Sequence, residues 1–383
     1  MSLCRRHPEL RTEADAPFVQ FLREWPPGFG GVERVAHGIS AELLAPVLSL
    51  RRSAAVNSDP LPVEYSRKCL PSLAFGRVYV PFPSWQLWRL MWRRQSLLAH
   101  LPCPTVLLLA MLARLLHPQR RITIYWHAFL RPRSGLVGRL ELLYLYLALK
   151  SLRSSRVITT SPVLNKALIA HGVAADRIKV LPCALPAQVE EQLLLLRRDR
   201  RAQLLSGTII FIGRLESYKR VDWLLESFAS TESAQTLLVL GDGPDRSRLE
   251  DFAALHRRSN QQVLFQGRVS ERRKLQLLVK ADVMVLPSDR CNEAFGIVQL
   301  EAMASGIPSL AYDLPESGMH WVSALPELPW SGSPDDLSAV LQKVLANPGL
   351  HARLCQQAIH RYDHEFAHAV WRQKLLQLDL LSG

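Results

Sequence analysis

The stretch that most limits how this chain can fold runs from residue 283 to residue 309, where an apolar run ends in a loop and a helix begins. Val283, Met284, Val285 and Leu286 predict a strand, and a helix is expected over about 297–305, stopped by Gly306 and Pro308. The loop between them carries Glu293 and Gly296. The first N–H groups of such a helix have no intrahelical partner, so Phe295, Gly296 and Ile297 can present theirs to an anion, and Gly296 lets it come close. Glu293 lies just outside the helix and Glu301 just over one turn inside it, which puts a carboxylate on either side of the anion position. Carboxylates there suit sugar hydroxyls rather than phosphates.

The second half of the chain reads as a regular alternation around that stretch. Strands are expected over 208–212, 236–240, 263–265, 282–286 and 308–311, with helices near 222–228, 245–255, 271–279 and 297–305. Alternating β and α predicts a parallel sheet with right-handed crossovers, so all strand C-terminal ends share one edge. That edge receives Gly213-Arg214, Gly241-Asp242-Gly243-Pro244, Gly267-Arg268 and Pro287-Ser288. Arg214 and Lys219 there can neutralise a diphosphate without a metal, the arginine by forked hydrogen bonds and the lysine as a point charge. No Asp-x-Asp at a strand end and no His/Cys cluster offers a divalent metal site, so no metal and no cofactor is expected.

The first half repeats the theme less regularly. A strand over 18–22 leads into Gly28, Gly30 and Gly31, and a helix opens near 32–44. Strand, glycine loop and helix is a phosphate-cradling order, although the spacing is not a dinucleotide fingerprint. Residues 46–83 are proline-rich and predict short strands broken by loops. A strand over 121–126 ends at His127, and ligands gather outside such ends in open α/β sheets. A helix over 136–152, a strand over 157–160, a helix from Pro162 to His171 and Lys179-Val180-Leu181-Pro182 complete this half.

At 383 residues the chain accommodates two domains, and with 48% hydrophobic and 21% charged residues it buries a sizeable core. Residues 1–185 are expected to form the N-terminal domain, 186–206 a junction, 207–360 the C-terminal domain, and 361–383 a helical C-terminal segment. Cysteines at 4, 69, 103, 183, 291 and 355 show no metal-ligand spacing or pairing pattern and predict reduced thiols and a cytoplasmic setting. The N-terminus lacks the apolar core of a signal peptide, and the longest lipid-like stretch, 105–116, falls well below the roughly 20 residues that span a bilayer.

The net charge of +13 lies entirely in the first half, where 25 Lys and Arg of residues 1–185 face 10 Asp and Glu. From Tyr65 to Leu140 there is no acidic residue. Such a field attracts polyanions: nucleic acid, anionic lipid headgroups or phosphate-bearing acceptors. Within it, over 85–98, Trp85, Trp88 and Trp92 lie among Arg89, Arg93 and Arg94, followed by Leu97 and Leu98. The pattern fits an amphipathic helix on an anionic membrane surface and equally a core helix with solvated arginines.

The frame Glu293-Ala294-Phe295-Gly296 followed by Glu301-Ala302-Met303-Ala304-Ser305-Gly306-Ile307-Pro308 resembles the donor-site motif of retaining family 4 glycosyltransferases of the GT-B fold. The resemblance implies an α/β protein with two Rossmann-like domains facing each other across a cleft and a C-terminal helix crossing back to the N-domain. It implies a nucleotide-sugar donor, with Glu301 on the ribose hydroxyls, Glu293 on the sugar, Ala294, Phe295, Gly296 and Ile297 at the phosphates, and Gly267-Arg268-Val269 framing the base. Gly213-Arg214 and Lys219 match the family's cation pair, with Arg220 standing where the family has glycine. Gly30 and Gly31, in the family's Gly-Gly-Val-Glu-Arg loop, would face the donor diphosphate and the acceptor. His127, at the end of Tyr125-Trp126-His127-Ala128, would approach the donor sugar. Front-face attack, with the departing phosphate oxygen deprotonating the acceptor, follows from the same resemblance. The expectation is a UDP- or GDP-sugar-dependent enzyme of cell-envelope polysaccharide or glycolipid synthesis, acting on a glycan or lipid-linked acceptor, cytoplasmic or peripheral on the inner face of the plasma membrane.

Two other classes fit less well. An NAD-dependent oxidoreductase or nucleotide-sugar epimerase requires Gly-x-Gly-x-x-Gly after the first strand and an acidic residue about 20 further on, and the glycines at 28, 30 and 31 do not comply. A basic membrane- or nucleic-acid-binding protein with a degenerate, inactive transferase fold explains the charge but not the convergence of Glu293, Glu301, Arg214 and Lys219. No nucleic-acid partner is expected.

Overall fold

The computed structural model describes residues 16–380 apart from 29, 52–62, 76–77, 200–204, 326, 329, 331 and 379. Cys4 and the N-terminal stretch, part of the proline-rich 46–83 region, part of the 186–206 junction and the last residues of the C-terminal segment lie outside the described residues.

The first half contains β1 (Phe18–Leu22), α1 (Gly31–Leu43), β2 (Val47–Ser49), β3 (Arg67–Cys69), a hairpin of β4 (Ser72–Phe75) and β5 (Val78–Pro81), α2 (Trp85–Trp92), β6 (Ser96–Leu101), α3 (Pro104–Leu116), β7 (Ile122–Trp126), α4 (Gly135–Leu152), β8 (Arg156–Thr159), α5 (Pro162–Ala170) and β9 (Ile178–Val180). Its seven-stranded sheet has the order β3-β2-β1-β6-β7-β8-β9, with every pairing parallel. The path runs one way from β1 to β3 and the other way from β6 to β9. Right-handed crossovers therefore place α1 on one face and α3, α4 and α5 on the other. Burial agrees. Leu98 and Tyr125 pack in the cluster with Val35 and Ile39 of α1. Their neighbours Leu97, Ala99, Ile124 and Trp126 pack with Val106 and Ala110 of α3 and Ala148 of α4. Tyr79 of the hairpin and Leu90 of α2 join this second cluster, so the hairpin and α2 belong to the same layer as α3, α4 and α5.

The second half contains α6 (Ala187–Asp199), β10 (Thr208–Ile212), α7 (Val221–Ser230), β11 (Thr236–Leu240), α8 (Arg246–His256), β12 (Gln262–Gly267), α9 (Glu271–Leu278), β13 (Val283–Leu286), α10 (Val298–Ala304), β14 (Ser309–Ala311), α11 (Met319–Ser323), α12 (Pro334–Leu345), α13 (Pro348–Arg361) and α14 (His368–Leu376). The sheet order is β12-β11-β10-β13-β14, again all parallel, with β10 fully buried at the switch point. Serine and asparagine caps mark several helix starts: Ser161 for α5, Ser270 for α9, Ser333 for α12 and Asn347 for α13 each accept a first-turn N–H.

One local expectation is corrected and two are sharpened. Leu97 and Leu98 belong to buried strand β6, so the tryptophan helix ends at Trp92 and the 85–98 segment is two elements. Within the 186–206 junction, 187–199 is helix α6, tied down by Leu193 in the core and by the Arg197–Asp363 pair at 3.0 Å. The helix after the Glu293 loop starts at Val298, leaving Ile297 as its cap.

The C-terminal segment is broken rather than continuous. A π-helical turn over Tyr362–Phe366 separates α13 from α14. The Tyr362 hydroxyl and the His368 N–H both bond Glu190 Oε1 at 2.8 Å. Helix α14 then lies on α1: Arg372 Nε donates to Glu42 Oε2 at 2.6 Å, and the Trp371 ring lies over Gly38, where a Cβ would meet it at 3.4 Å. The two Rossmann-like halves and this returning helix make the GT-B fold.

Candidate active site

Both parallel sheets turn their C-terminal strand ends toward one cleft, and contacts between the two halves close it. Arg34 Nη1 of α1 lies 3.3 Å from Glu301 Oε1 of α10. The His171 ring bonds Glu316 at 2.9 Å, and the Arg131 N–H reaches Asn292 Oδ1 at 3.5 Å. Gly31 sits against Ile297, where a Cβ would stand 3.7 Å from the isoleucine Cδ1.

The turn between β13 and α10 is built as its sequence requires. Gly296 has φ +68°, and a Cβ there would strike Leu286 Cδ1 at 2.6 Å. Ile297 caps α10 with no side-chain acceptor, and the Gln299 and Leu300 N–H groups turn back to the Gly296 and Ile297 carbonyls. The Phe295 ring is core, edge-on to Phe366 and Trp321, so only its backbone is available to a ligand. Ala294 is fixed by its carbonyl, which accepts the Gly318 N–H at 2.7 Å. Gln299, fully buried, holds the turn from below: its Nε2 donates to Phe295 O and Met319 O, and its Oε1 accepts from Ser309 Oγ.

Lys219 and Glu293 form a close ion pair across this turn. Lys219 is only 8% exposed. Burial works against its charge, but the Glu293 carboxylate, with Tyr218 and Glu216, more than offsets that and holds the ammonium above the ordinary lysine range. Ser317 Oγ anchors the Glu293 carbonyl at 2.7 Å. Arg220 explains how the chain manages without the family's glycine. It adopts φ +49°, a left-handed conformation that strains a side-chain-bearing residue. Its guanidinium stacks 3.7 Å over the Trp223 ring and pairs with Asp222 at 3.1 Å and Asp289 at 3.2 Å.

Glu301 is 1% exposed. Its Oε1 accepts Lys274 Nζ at 2.9 Å in addition to Arg34, while Oε2 is buried with no hydrogen-bond partner. An unsatisfied buried acceptor costs about 1–3 kcal/mol. Lys274 also binds Glu271 at 2.7 Å; burial raises that carboxyl's pKa, but the lysine outweighs it and holds the carboxyl below its usual range.

The remaining expected residues are distributed around this centre. Arg214 stands apart from the Lys219–Glu293 pair, with its side chain 66% exposed and bonded to Glu216 at 3.0 Å. Gly213 closes β10 through its N–H to Leu240 O, and Gly241 approaches it so closely that a Cβ at 241 would lie 1.8 Å from Gly213 O. Gly267 ends β12 with φ +64°; Arg268 after it is exposed and Val269 packs partly on the core. The Glu33 side chain folds back over the loop at Gly30, where a Cβ would meet its Oε2 at 2.3 Å. Burial pushes the Glu33 carboxyl up.

His127 is held from behind. Its Nε2 meets His100 Nδ1 at 2.9 Å, and His100 Nε2 meets Gln20 Oε1 at 2.8 Å. Gln20 spends its amide N–H groups on Ala36 O and Ser40 Oγ, so its oxygen accepts from His100. Burial lowers His100 to about 3 and holds His127 well below the usual histidine range, so both rings are neutral. His100 Nδ1 is then an acceptor, His127 Nε2–H the donor to it, and His127 Nδ1 a bare acceptor. The rings of Tyr125 and His127 stack at 4.2 Å, and Tyr125 OH bonds Leu181 O.

Gln20, Arg34, His100, Lys274 and Gln299 were not singled out from the sequence. Three carry a readable signal, a lone polar residue inside an apolar element: Gln20 in Phe-Val-Gln-Phe-Leu, His100 in Leu-Leu-Ala-His-Leu, and Gln299 in Ile-Val-Gln-Leu.

Comparison with known proteins agrees with this architecture. The family described as Glycosyltransferase Family 4 matches residues 29–188, and Glycosyl transferases group 1 matches 197–361. An uncharacterised glycosyltransferase of Methanocaldococcus jannaschii is 29% identical over 222 residues, 55% of this chain and 56% of that protein. A glycogen synthase of Mycobacterium tuberculosis is 31% identical over 173 residues, 44% of this chain and 41% of that one. A GDP-mannose-dependent alpha-(1-6)-phosphatidylinositol dimannoside mannosyltransferase of the same species is 28% identical over 158 residues, 38% of each. The chain thus spans about half or less of these relatives. Among solved structures, Anabaena HepE in complex with UDP superposes with a TM-score of 0.71 at 17% identity, covering 94% of this chain and 98% of that one. WaaG, a glycosyltransferase involved in lipopolysaccharide biosynthesis, gives 0.65 at 18%, covering 96% and 100%. With its N-terminal half matched by one of these families and its C-terminal half by the other, the chain belongs to the group 1, family 4 glycosyltransferases of the GT-B fold.

Proposed function

We propose that the protein is a retaining, metal-independent glycosyltransferase that moves a sugar from a UDP- or GDP-sugar to a glycan or lipid-linked acceptor. The observation that carries this reading is the pair of carboxylates around the Phe295–Gly296–Ile297 turn, Glu293 half-buried and Glu301 buried. Glu293 holds Lys219, and Glu301 keeps one oxygen, Oε2, without a partner. That oxygen is assigned to a ribose hydroxyl of the donor. In the reaction the bond from the sugar's anomeric carbon to the phosphate oxygen breaks, and the nucleoside diphosphate departs with the electron pair. Lys219, the N–H groups of residues 295–297, and Arg214 swung from Glu216 take up its charge. The acceptor hydroxyl attacks from the same face and gives its proton to the leaving phosphate oxygen. His127 Nδ1, an acceptor, receives a hydroxyl of the donor sugar. Base contact is assigned to Gly267-Arg268-Val269.

The names of two comparison proteins support the substrate classes: one depends on GDP-mannose and acts on a phosphatidylinositol dimannoside, and another is bound to UDP. The basic first half fits a phospholipid or polyprenyl-diphosphate-linked acceptor in envelope polysaccharide or glycolipid synthesis, with the protein cytoplasmic and in peripheral contact with an anionic membrane through the tryptophan helix α2.

A thermal-shift screen against nucleoside diphosphates and nucleotide sugars, with and without EDTA, tests the reading, because a ligand of the native state raises its melting temperature. Selective, EDTA-insensitive stabilisation by UDP or GDP compounds is expected. Binding of anionic lipid or RNA with no response to any nucleotide would overturn it in favour of a degenerate transferase fold.

A further inference from the structure

The layer formed by the hairpin, α2, α3 and α4 has an apolar outer surface. Hairpin pairing sets Leu73 opposite Val80 and Phe75 opposite Val78, all four exposed, while Tyr79 on the other face is buried. On α2, Trp85, Trp88 and Trp92 recur at helical spacing on the exposed side, and the first two rings stack at 4.6 Å. On α3 the exposed stripe is Leu108, Leu112 and Leu115. On α4 it is Leu136, Leu140, Leu143 and Leu147, flanked by Tyr146, with Leu136 at 73% exposure. Crossovers put α3 and α4 on one face of the sheet, and Tyr79 and Leu90 pack the hairpin and α2 into the same core beside α3, so their outer stripes form one surface. Scattered exposed leucines are ordinary; a stripe on each of four elements of one layer is not.

The charge on this layer has one sign. Between Tyr65 and Ala175 the single acidic residue is Glu141, and Arg133 neutralises it with its N–H, Nε and Nη2. Arg93, Arg94, Arg131 and Arg139 lie on or beside the same elements. The surface is also firmly built: the Arg120 guanidinium, itself buried, holds the end of α2 through Leu90 O and Gln95 O. Among the described residues no helix is long and apolar enough to cross a membrane.

We infer that the whole outer face of this layer, the β4–β5 hairpin and α4 as much as α2, is a monotopic docking surface for an anionic lipid bilayer. Its leucines, tryptophans and hairpin tip enter the boundary between headgroups and acyl chains, and its arginines meet the lipid phosphates. A second copy of the chain on this face would set two acid-poor basic surfaces against each other. The face also runs up to the cleft. Helix α4 begins directly after the loop that leaves β7 at His127 and touches Asn292 through Arg131. A bilayer on α4 therefore brings a lipid-linked acceptor to the cleft mouth; that use rests on the proposed transferase reading, whereas docking itself does not.

The test is co-sedimentation with phosphatidylcholine vesicles and with vesicles containing phosphatidylglycerol, for the wild type, for Leu136→Ser/Leu140→Ser/Leu143→Ser on α4, and for Trp85→Ser/Trp88→Ser on α2. The substituted side chains are exposed, so both variants should keep the wild-type melting temperature, which is measured alongside. The wild type should prefer phosphatidylglycerol vesicles by about tenfold or more, and each variant should lose about tenfold of that binding. Wild type remaining in the supernatant overturns the inference. So does undiminished binding of the α4 variant, which would confine contact to α2. Concentration-dependent dimerisation abolished by the α4 substitutions, without vesicle binding, assigns the face to a second copy and likewise overturns it. A missing nucleotide response with intact vesicle binding would instead strike the transferase reading alone.

Discussion

The Arg34 guanidinium of the N-terminal half lies 3.3 Å from Glu301, whose second carboxylate oxygen is buried and unpartnered. The pair ties the two halves across the cleft at the point where a nucleoside is expected. A ligand hydroxyl donated to Oε2 would satisfy that oxygen, and a hydrogen bond to a charged group contributes about 1.5–3 kcal/mol. Glu301→Ala should therefore weaken nucleoside diphosphate binding by about tenfold or more. Arg34→Ala leaves Lys274 on the carboxylate and should change affinity less. Calorimetric titration measures both, and equal affinity in the wild type and Glu301→Ala would contradict the assignment.

Glu293 and Lys219 should behave differently. Glu293 faces the sugar rather than the nucleoside in the proposed reaction, so Glu293→Ala should lower turnover by about 10²–10³-fold. Its effect on nucleotide affinity should be within a few-fold. Lys219→Ala removes a leaving-group cation and strands Glu293, so turnover and nucleotide affinity should both fall. Steady-state kcat beside directly measured Kd separates the two, and a matched loss of affinity in Glu293→Ala would remove the distinction.

The parts of this site legible in the sequence are those fixed by local chemistry. The Gly296 turn, the alternation that brings strand ends to one edge, and the two glutamates follow from residues near one another in the chain. Contacts between distant residues were not legible. Arg34 meets Glu301 across 267 positions, and His100 meets His127 only because β6 and β7 are neighbours in the sheet. Arg214, well placed by the edge argument, turns to Glu216 because an exposed side chain goes to its nearest carboxylate. Leu97 and Leu98 looked continuous with the tryptophan helix because an apolar pair carries no period of its own.

The left-handed backbone at Arg220 makes a stability prediction that separates two small residues. Alanine at φ +49° keeps the strain and loses the stacking on Trp223 and the pairs to Asp222 and Asp289. Glycine loses the same contacts but relieves about 1–2 kcal/mol of strain. Arg220→Ala should unfold at lower denaturant than the wild type, and Arg220→Gly should recover about 1–2 kcal/mol relative to Arg220→Ala. If the two variants unfold at the same midpoint, the conformation at 220 is not strained.

The buried histidine pair predicts how stability depends on pH. Burial depresses His100 to about 3, and His127 is also held far below its unfolded value. The unfolded chain therefore binds protons that the native state refuses once pH drops below about 6.5. The contribution of the neutral pair is fully present above that pH and is lost as pH falls toward 3. Each ring contributes a slope of about 1.4 kcal/mol per pH unit in that window. His100→Gln removes one titrating ring while offering an amide to both Gln20 and His127. Its unfolding free energy should decline less steeply than that of the wild type between about pH 6 and pH 4, by about 1.4 kcal/mol per unit. Urea unfolding at a series of pH values measures the difference. Parallel slopes would mean that His100 takes up a proton in the native state; its bond to Gln20 would keep its direction, but His100 Nδ1–H would then donate to His127 Nε2 and leave the outer ring without its bare acceptor.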